Sequence, residues 1–508
     1  MKISTTNICR IASLLAQGVQ CSASPASSWD ACASLSWALP GKVSYRNSSA
    51  FALSNDYWSA RQTDVPPECF AYPESTGDIS VMVKLLTSLS ASFTVKSGGH
   101  TAHLGSNLPG GVTIDLARLS QVKVSADRET TSIGSGARWV QVAATLDPMG
   151  LAVVGGRMGD VGVSGLILGG GLSYFSGDRG WACDNVRTYE VVLVSGEVVE
   201  ATPEQNPDLY WALRGGGGSS FGIVSRFDLV TFPQGDLWSL QQYHPPAVRA
   251  DLFSAYVDLT VSGLNSDPDA HNFLVFADSP LIGTELAINY MYHATPPATS
   301  GAIPPVFAKT AAVSNALINT TLVGNLSAIY ASLSGDPNGS RRAWTNVAVH
   351  LKEGSEQLLE DVYTITQGHR SRVKALATQT NDTSAWVLFG LHPITTDLLE
   401  AMQKNGGNAL GLRPEDGPLT LVQINTIWAH SDLDERILAS ADQAIAEVRT
   451  LATERGAMAD FIYMNYAAQS QDVFAGYGKA NEERLTKVAQ KYDPNGTLKK
   501  LWKGYFQV

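Results

Sequence analysis

The run Phe93-Thr94-Val95-Lys96-Ser97-Gly98-Gly99-His100-Thr101 decides how this chain is read. Its aromatic and β-branched start predicts a strand, and the two glycines that follow, flanked by small hydroxyls, predict a turn of bare backbone. Successive N–H groups in such a turn converge on one concavity and hold an anion such as a pyrophosphate, with His100 at the lip. A second cluster, Gly155-Gly156-Arg157-Met158-Gly159-Asp160-Val161-Gly162-Val163-Ser164-Gly165, is followed by Gly169-Gly170-Gly171. It offers another backbone surface for a flat ring and its phosphate linker. Two such loops point to one large cofactor; on spacing alone, tight turns in a glycine-rich fold account for them about as well.

Outward from these loops the text alternates short strands and helices. Ile79, Val83 and Leu86 fall at helical spacing, Val112–Leu116 and Thr131–Gly134 read as strands, and Trp139 to Leu146 reads as a short helix ending at Asp147-Pro148. Tyr189–Val194 and Glu197–Glu200 predict a hairpin with Ser195-Gly196 as a two-residue turn. Asn206-Pro207-Asp208 predicts the cap of a helix carrying Tyr210 to Leu213, and Gly222 to Val230 a closing strand. From about Leu237 to Arg455 glycine clusters thin out and helical patterns lengthen, as in Leu433 to Leu451. Strands are expected at Trp386–Leu391 and Leu419–Trp428, the latter with Val422, Ile424 and Thr426 on one face and Gln423 and Asn425 on the other. The organisation expected is a signal peptide at 1–23, an N-terminal arm at 24–63, a first domain at 64–235, a second at 236–455 with helices over a sheet, and a tail at 456–508 packing back on the first. The fold class is α+β, in two lobes.

Composition removes several functions. With 508 residues, 44% of them hydrophobic, the chain is long enough for two lobes, and its formal charge of -11 leaves no basic stripe for nucleic acid. No apolar run reaches the roughly 18–20 residues of a membrane span. No G-x-G-x-x-G follows a strand, and neither a P-loop nor H-E-x-x-H occurs; no metal site is expected. Gly218-Ser219-Ser220-Phe221-Gly222 matches G-x-S-x-G, but with a helix before it and a strand after, the reverse of a nucleophile elbow.

The first residues, with Arg10, the apolar Ile11–Ala16 and small residues at Cys21-Ser22-Ala23, have the order of a secretory signal. Sequons at Asn47, Asn319, Asn325, Asn338, Asn381 and Asn495 favour the secretory pathway. Cleavage would remove Cys9 and Cys21. In an oxidising compartment Cys32 and Cys69 then form the natural disulfide, with Cys183 a buried free thiol.

The ordered set Ser97-Gly98-Gly99-His100, Gly134-Ser135-Gly136-Ala137, Val161-Gly162-Val163-Ser164-Gly165, Trp181-Ala182-Cys183-Asp184-Asn185, Leu213-Arg214-Gly215-Gly216-Gly217 and Tyr492-Asp493-Pro494 resembles the FAD-linked oxidases of the berberine-bridge-enzyme type, in the vanillyl-alcohol-oxidase superfamily, and fungal members above all. The resemblance runs from about Cys32 to the C-terminus. It implies a PCMH-type FAD-binding domain, a substrate domain, and FAD bound through Lys96, Ser97, Gly98, Gly99, Thr101, Gly136, Gly156, Asp160, Val161, Ser164, Gly165, Gly170, Asn185, Gly222, Val224 and Asn465, with Tyr477 and Asn481 in support. By resemblance His100 bonds covalently to the flavin. Relatives with a second link carry a cysteine in G-x-C-x-x-V; here Gly156-Arg157-Met158-Gly159-Asp160-Val161 has methionine in its place, which implies a single link and weakens a carbohydrate-oxidase assignment. Val161 stands where the family's oxygen-using members carry valine.

Tyr463-Met464-Asn465-Tyr466-Ala467 resembles the family's Asn-Tyr element, which makes Tyr466 the implied catalytic base. A phenol with an ordinary pKa of about 10 needs a cationic or hydrogen-bonding neighbour to act near neutrality, and the sequence does not identify that neighbour. His392, Gln423 and Asn425 are the expected substrate contacts. The function implied is a secreted, monomeric oxidase acting on a small alcohol or phenol-type secondary metabolite, with oxygen as the final acceptor. The alternatives are a flavoprotein cyclase or isomerase without net oxidation, or a carbohydrate oxidase.

Overall fold

The computed structural model describes residues 28–279, 283–333 and 338–508. The expected signal segment at 1–23, with Cys9 and Cys21, lies outside the described residues. The described residues fold around three sheets.

The first sheet orders its strands Val43–Tyr45, Cys69–Ala71, Val112–Asp115 and Phe93–Lys96, the last three mutually parallel. Parallel neighbours need a crossover, and the helix Thr76–Ser88 supplies it, burying Ile79, Met82, Val83 and Leu86 against the sheet. Its start is fixed by a capping box in which the Ser75 side chain accepts from Asp78 N–H and the Asp78 carboxylate reaches back. Cys32, on the helix Ser28–Ala38, is disulfide-bonded to Cys69, and Cys183 is free and buried, as the sequence led us to expect.

The second sheet centres on the long strand Ile223–Pro233, paired antiparallel with Thr130–Gly134, Val186–Val192 and Leu151–Val153. Two local expectations are corrected here. In the hairpin Val192 pairs with Val198 and Leu193 N–H donates to Glu197 O, so the turn has three residues, Val194-Ser195-Gly196, rather than two. Gly196 adopts φ 79°, the left-handed residue that a three-residue hairpin turn requires in its last position. Asn206 does precede the helix Pro207–Leu213, but its amide donates to Glu200 O instead of capping the first turn.

The third sheet has eight strands, all antiparallel, in the order Ile318–Gly324, Leu237–His244, Thr284–His293, Ala270–Ser279, Trp386–Ile394, Leu419–Trp428, Arg341–His350 and Met458–Ala459. One face buries Leu274, Phe276, Val347, Phe389, Leu391, Val422 and Ile424 beneath the helices Arg249–Asp258, Glu356–Thr380 and Asp434–Glu454. Burying each such side chain contributes roughly 1.5–3 kcal/mol, which sets the register of the four strands that carry them. Alternation then turns Phe273, Val275, Tyr290, Trp344, Leu388, His392, Gln423 and Asn425 to the other face, which lines a cavity. The last residues lie against the first two sheets: Lys503 N–H donates to Phe93 O, and Ser219 Oγ donates to Phe506 O.

Candidate active site

The two glycine loops touch. A Cβ on Gly98 would lie 2.5 Å from Gly162 N, and one on Gly162 would press as closely on Gly98 N, so neither position has room for a side chain. Polar groups fasten the crossing: Ser97 Oγ and Ser164 Oγ both donate to Ser135 O, at 2.7 and 2.5 Å, and Arg138 donates to the carbonyls of Gly98 and Asp160. Around the crossing opens a cavity of about 840 Å³. That is near the upper end of the roughly 300–1,000 Å³ spanned by small-molecule and cofactor sites.

The cavity lining joins Ser97, Gly98, Gly99, His100, Thr101, Asp160, Val161, Ser164, Gly165, Val224, Asn465 and Tyr466 to His392, Gln423 and Asn425 on the sheet face. The remaining sequence-derived positions sit behind this lining. Lys96 Nζ donates to Ser54 O at 2.6 Å and pairs with Asp115. Gly136 abuts the Leu116 carbonyl, Gly156 the Trp139 ring, Gly170 Trp181 and Leu410, and Gly222 the Val192 carbonyl. Asn185 donates to Arg179 O and Trp181 O, Tyr477 to Gly215 O, and Asn481 to Ala409 O. These residues hold the loops in place.

The residues present fit FAD. Bare glycine backbone at Gly98, Gly99, Gly162 and Gly165 lines the cavity, a surface that would offer N–H donors to a phosphate linker, and Ser135 Oγ is buried within the crossing without a hydrogen-bond partner. His100 is stacked on Trp58, and burial, with Arg342 and Arg138 adding to it, holds its imidazole down to about 3. It is therefore neutral at physiological pH. Met158 is exposed and carries no thiol.

Tyr466 is held by a short element, Met464–Tyr466, clamped to the sheet. Asn346, on the strand Arg341–His350, donates to Tyr463 O and accepts from Tyr463 N–H, both at 3.0 Å. Tyr463 Oη accepts from the N–H groups of Gly171 and Leu172 and from Asn465 Nδ2. Tyr466 itself projects into the cavity, edge-on to Trp344, and its oxygen accepts from Arg157 Nη2 at 2.7 Å.

Arg157 is the hub of the site, and the sequence does not announce it. Its guanidinium also lies 3.1 Å from His271 Nε2 and 3.3 Å from His392 Nδ1, and its carbon sits 4.8 Å above the Phe273 ring. Burial, with Arg157 next, pushes both imidazoles well below their ordinary range, so they are neutral. A guanidinium only donates, which makes His271 Nε2 and His392 Nδ1 acceptors and puts the His392 proton on Nε2, where it donates to Gln423 Oε1 at 2.9 Å. In the sequence Arg157 stands out only as the neighbour of the missing cysteine; an arginine inside a glycine cluster is the one signal it offers. Trp58, Trp344, Phe273 and Asn346 carry none, because aromatic and amide residues on strands read first as core.

Residues 67–202 match the family described as FAD binding domain. The chain is 36% identical over 462 residues to the FAD-dependent monooxygenase FUP4 of Fusarium proliferatum, covering 89% of this chain and 87% of that one. Among solved structures it resembles 6-hydroxy-D-nicotine oxidase from Arthrobacter nicotinovorans, at 18% identity and TM-score 0.74 over 91% of this chain and 97% of that one. It also resembles the wild-type BBE-like 1 protein of Physcomitrella patens, at 17% identity and TM-score 0.70 over 93% of this chain and 97% of that one.

Proposed function

Because the chain belongs to the FAD-linked oxidoreductases of the berberine-bridge-enzyme type, we propose that it oxidises a small, largely apolar organic substrate at the Tyr466 end of the cavity and hands the electrons to oxygen. Bound in the glycine cradle, FAD supplies the two-electron acceptor and the route to oxygen, with hydrogen peroxide as product. The observation that carries the reading is the Tyr466 oxygen, which faces the cavity and receives a hydrogen bond from Arg157 at 2.7 Å. Tyr466 takes the proton from the substrate hydroxyl, and the guanidinium holds the negative charge involved in that exchange. Trp344 and the Asn346 clamp fix the ring's orientation. Gln423, His392 and Asn425 orient the substrate from the sheet face.

His100 is the single covalent anchor in this reading. Its neutral ring has a free lone pair, the form in which imidazole attacks carbon, and the thioether of Met158 offers no second bond. Phe273, Tyr290, Trp344, Val275, Ile288 and Leu388 line the cavity with apolar surface, which favours an aromatic or polycyclic metabolite over a sugar. Passage through the secretory pathway is supported by the Cys32–Cys69 bridge and by exposed sequon asparagines at Asn47, Asn319, Asn381 and Asn495.

Mixing the flavin-loaded enzyme with candidate alcohols and phenols without oxygen tests the proposal. Bleaching of the yellow chromophore, followed on admission of oxygen by uptake matched one-for-one by peroxide, supports an oxidase. Conversion of substrate without bleaching would instead establish a redox-neutral cyclase or isomerase. The name of the Fusarium relative favours a second reading, a monooxygenase; incorporation of labelled oxygen from O2 into product distinguishes it.

A further inference from the structure

The guanidinium of Arg157 is buried, and it meets two uncharged imidazoles, the Tyr466 oxygen and the face of Phe273. Among the described residues no carboxylate pairs with it. Two other buried arginines do have one: Arg214 pairs with Asp184 at 3.0 Å, and Arg370 with Asp278 and Glu285. A buried charge without a countercharge is costly, by several kcal/mol in general, so it persists where something recurrent supplies the opposite sign. His271 and His392 cannot supply it. Being neutral, they orient the guanidinium without cancelling its charge, and Tyr174 Oη fixes its backbone by donating to Arg157 O at 2.8 Å.

The space that Arg157 faces is the substrate part of the cavity. Flat apolar surface from Phe273 and Tyr290, whose rings stack 4.4 Å apart, borders it on the sheet. Across that face Asn425 Oδ1 is buried without a hydrogen-bond partner, an acceptor awaiting a donor. Resting on the reading of this cavity as the substrate site, we infer that the enzyme selects a flat, mostly apolar substrate carrying an acidic oxygen (a phenol, an enol or a carboxylic acid), bound as the anion against Arg157. The ring system lies along Phe273 and Tyr290, a second hydroxyl or N–H donates to Asn425, and neutral polyols are disfavoured because they leave the guanidinium uncompensated.

The test uses two probes alike in shape and unlike in charge, 2-naphthoate and 2-naphthylmethanol, titrated into the oxidised holoenzyme and followed through the perturbation of the flavin absorbance. A hydrogen bond to a charged group is worth about 1.5–3 kcal/mol, so naphthoate is expected to bind about 10- to 100-fold more tightly. Arg157→Gln should abolish that preference, and Arg157→Lys should keep most of it. Equal binding of the two probes to the wild type overturns the inference without any variant. A preference that survives in Arg157→Gln overturns it as well. Because no turnover is involved, these outcomes are independent of whether the enzyme proves to be an oxidase: bleaching by a substrate with equal probe binding would leave the oxidase reading standing and remove this one.

Discussion

The imidazole of His100 lies flat on the indole of Trp58, ring centroids 3.9 Å apart and planes 19° from parallel. A ring held this way is fixed in orientation before any cofactor arrives, and the Arg342 guanidinium carbon, 4.1 Å from the Trp58 ring centre, steadies the indole in turn. Acid precipitation of the flavin-loaded protein should therefore leave the yellow chromophore on the polypeptide, and His100→Ala should release it into the supernatant. Flavin escaping from the denatured wild type would refute the covalent link; flavin retained by His100→Ala would move the anchor elsewhere.

Tyr466→Phe preserves the edge-on packing against Trp344 and removes only the oxygen that Arg157 contacts. Flavin reduction by substrate should slow by about 10²- to 10⁴-fold, the usual range for losing a general base. Reoxidation of the reduced variant by oxygen, measured by stopped flow, should match the wild type. Reduction at the wild-type rate would place the base elsewhere, with His392 the next residue to test.

Gly98→Ala would set a methyl group 2.5 Å from Gly162 N, backbone against backbone. Relief requires the two loops to separate, at a cost of roughly 1–3 kcal/mol. The expected result is a folded protein of lowered melting temperature and reduced flavin content. Gly368→Ala, on the helix Glu356–Thr380 and outside the cavity lining, where the added Cβ meets only Arg372 Nη1 at 3.6 Å, is the control expected to retain its flavin.

His369 bridges the hydroxyls of Ser440 and Thr426, at 2.9 and 2.8 Å, and burial, followed by Arg372, holds its imidazole down to about 4. The unfolded chain takes up this proton near 6.5, the folded one only near 4. Its contribution to stability is thus complete above about pH 6.5 and is lost as pH falls toward 4, by an amount on the order of 3 kcal/mol. In denaturant titrations His369→Gln should show a correspondingly shallower decline between about pH 7 and 4. An identical decline in both proteins would contradict the assignment.

Replacing Cys32 and Cys69 together by serine opens a loop of 37 residues, worth about 4 kcal/mol on the chain-entropy view. Non-reducing peptide mapping should recover Cys32 and Cys69 joined and Cys183 as the only alkylatable thiol among the described residues.

Where the fold was legible, local chemistry and tertiary packing agreed. The helix Trp139–Leu146 and the strands Phe93–Lys96 and Leu419–Trp428 match the sequence reading because periodicity, breakers and burial all act over the same few residues. The hairpin at 194–196 departs from it by one residue, since a glycine serves both two- and three-residue turns and only pairing distinguishes them. At the site, the loops and Tyr466 were visible as motifs. The contact of Arg157 with Tyr466 was not, because the two residues stand 309 positions apart and nothing in either segment refers to the other.

The strand Leu419–Trp428 divides its residues between two masters. Val422 and Ile424 answer to the helices behind the sheet, while Gln423, bonded to His392, and Asn425 face the cavity. Mutational drift at the second pair can therefore explore new substrates at little risk to folding, and a library confined to those two codons should yield soluble proteins that differ in what they accept.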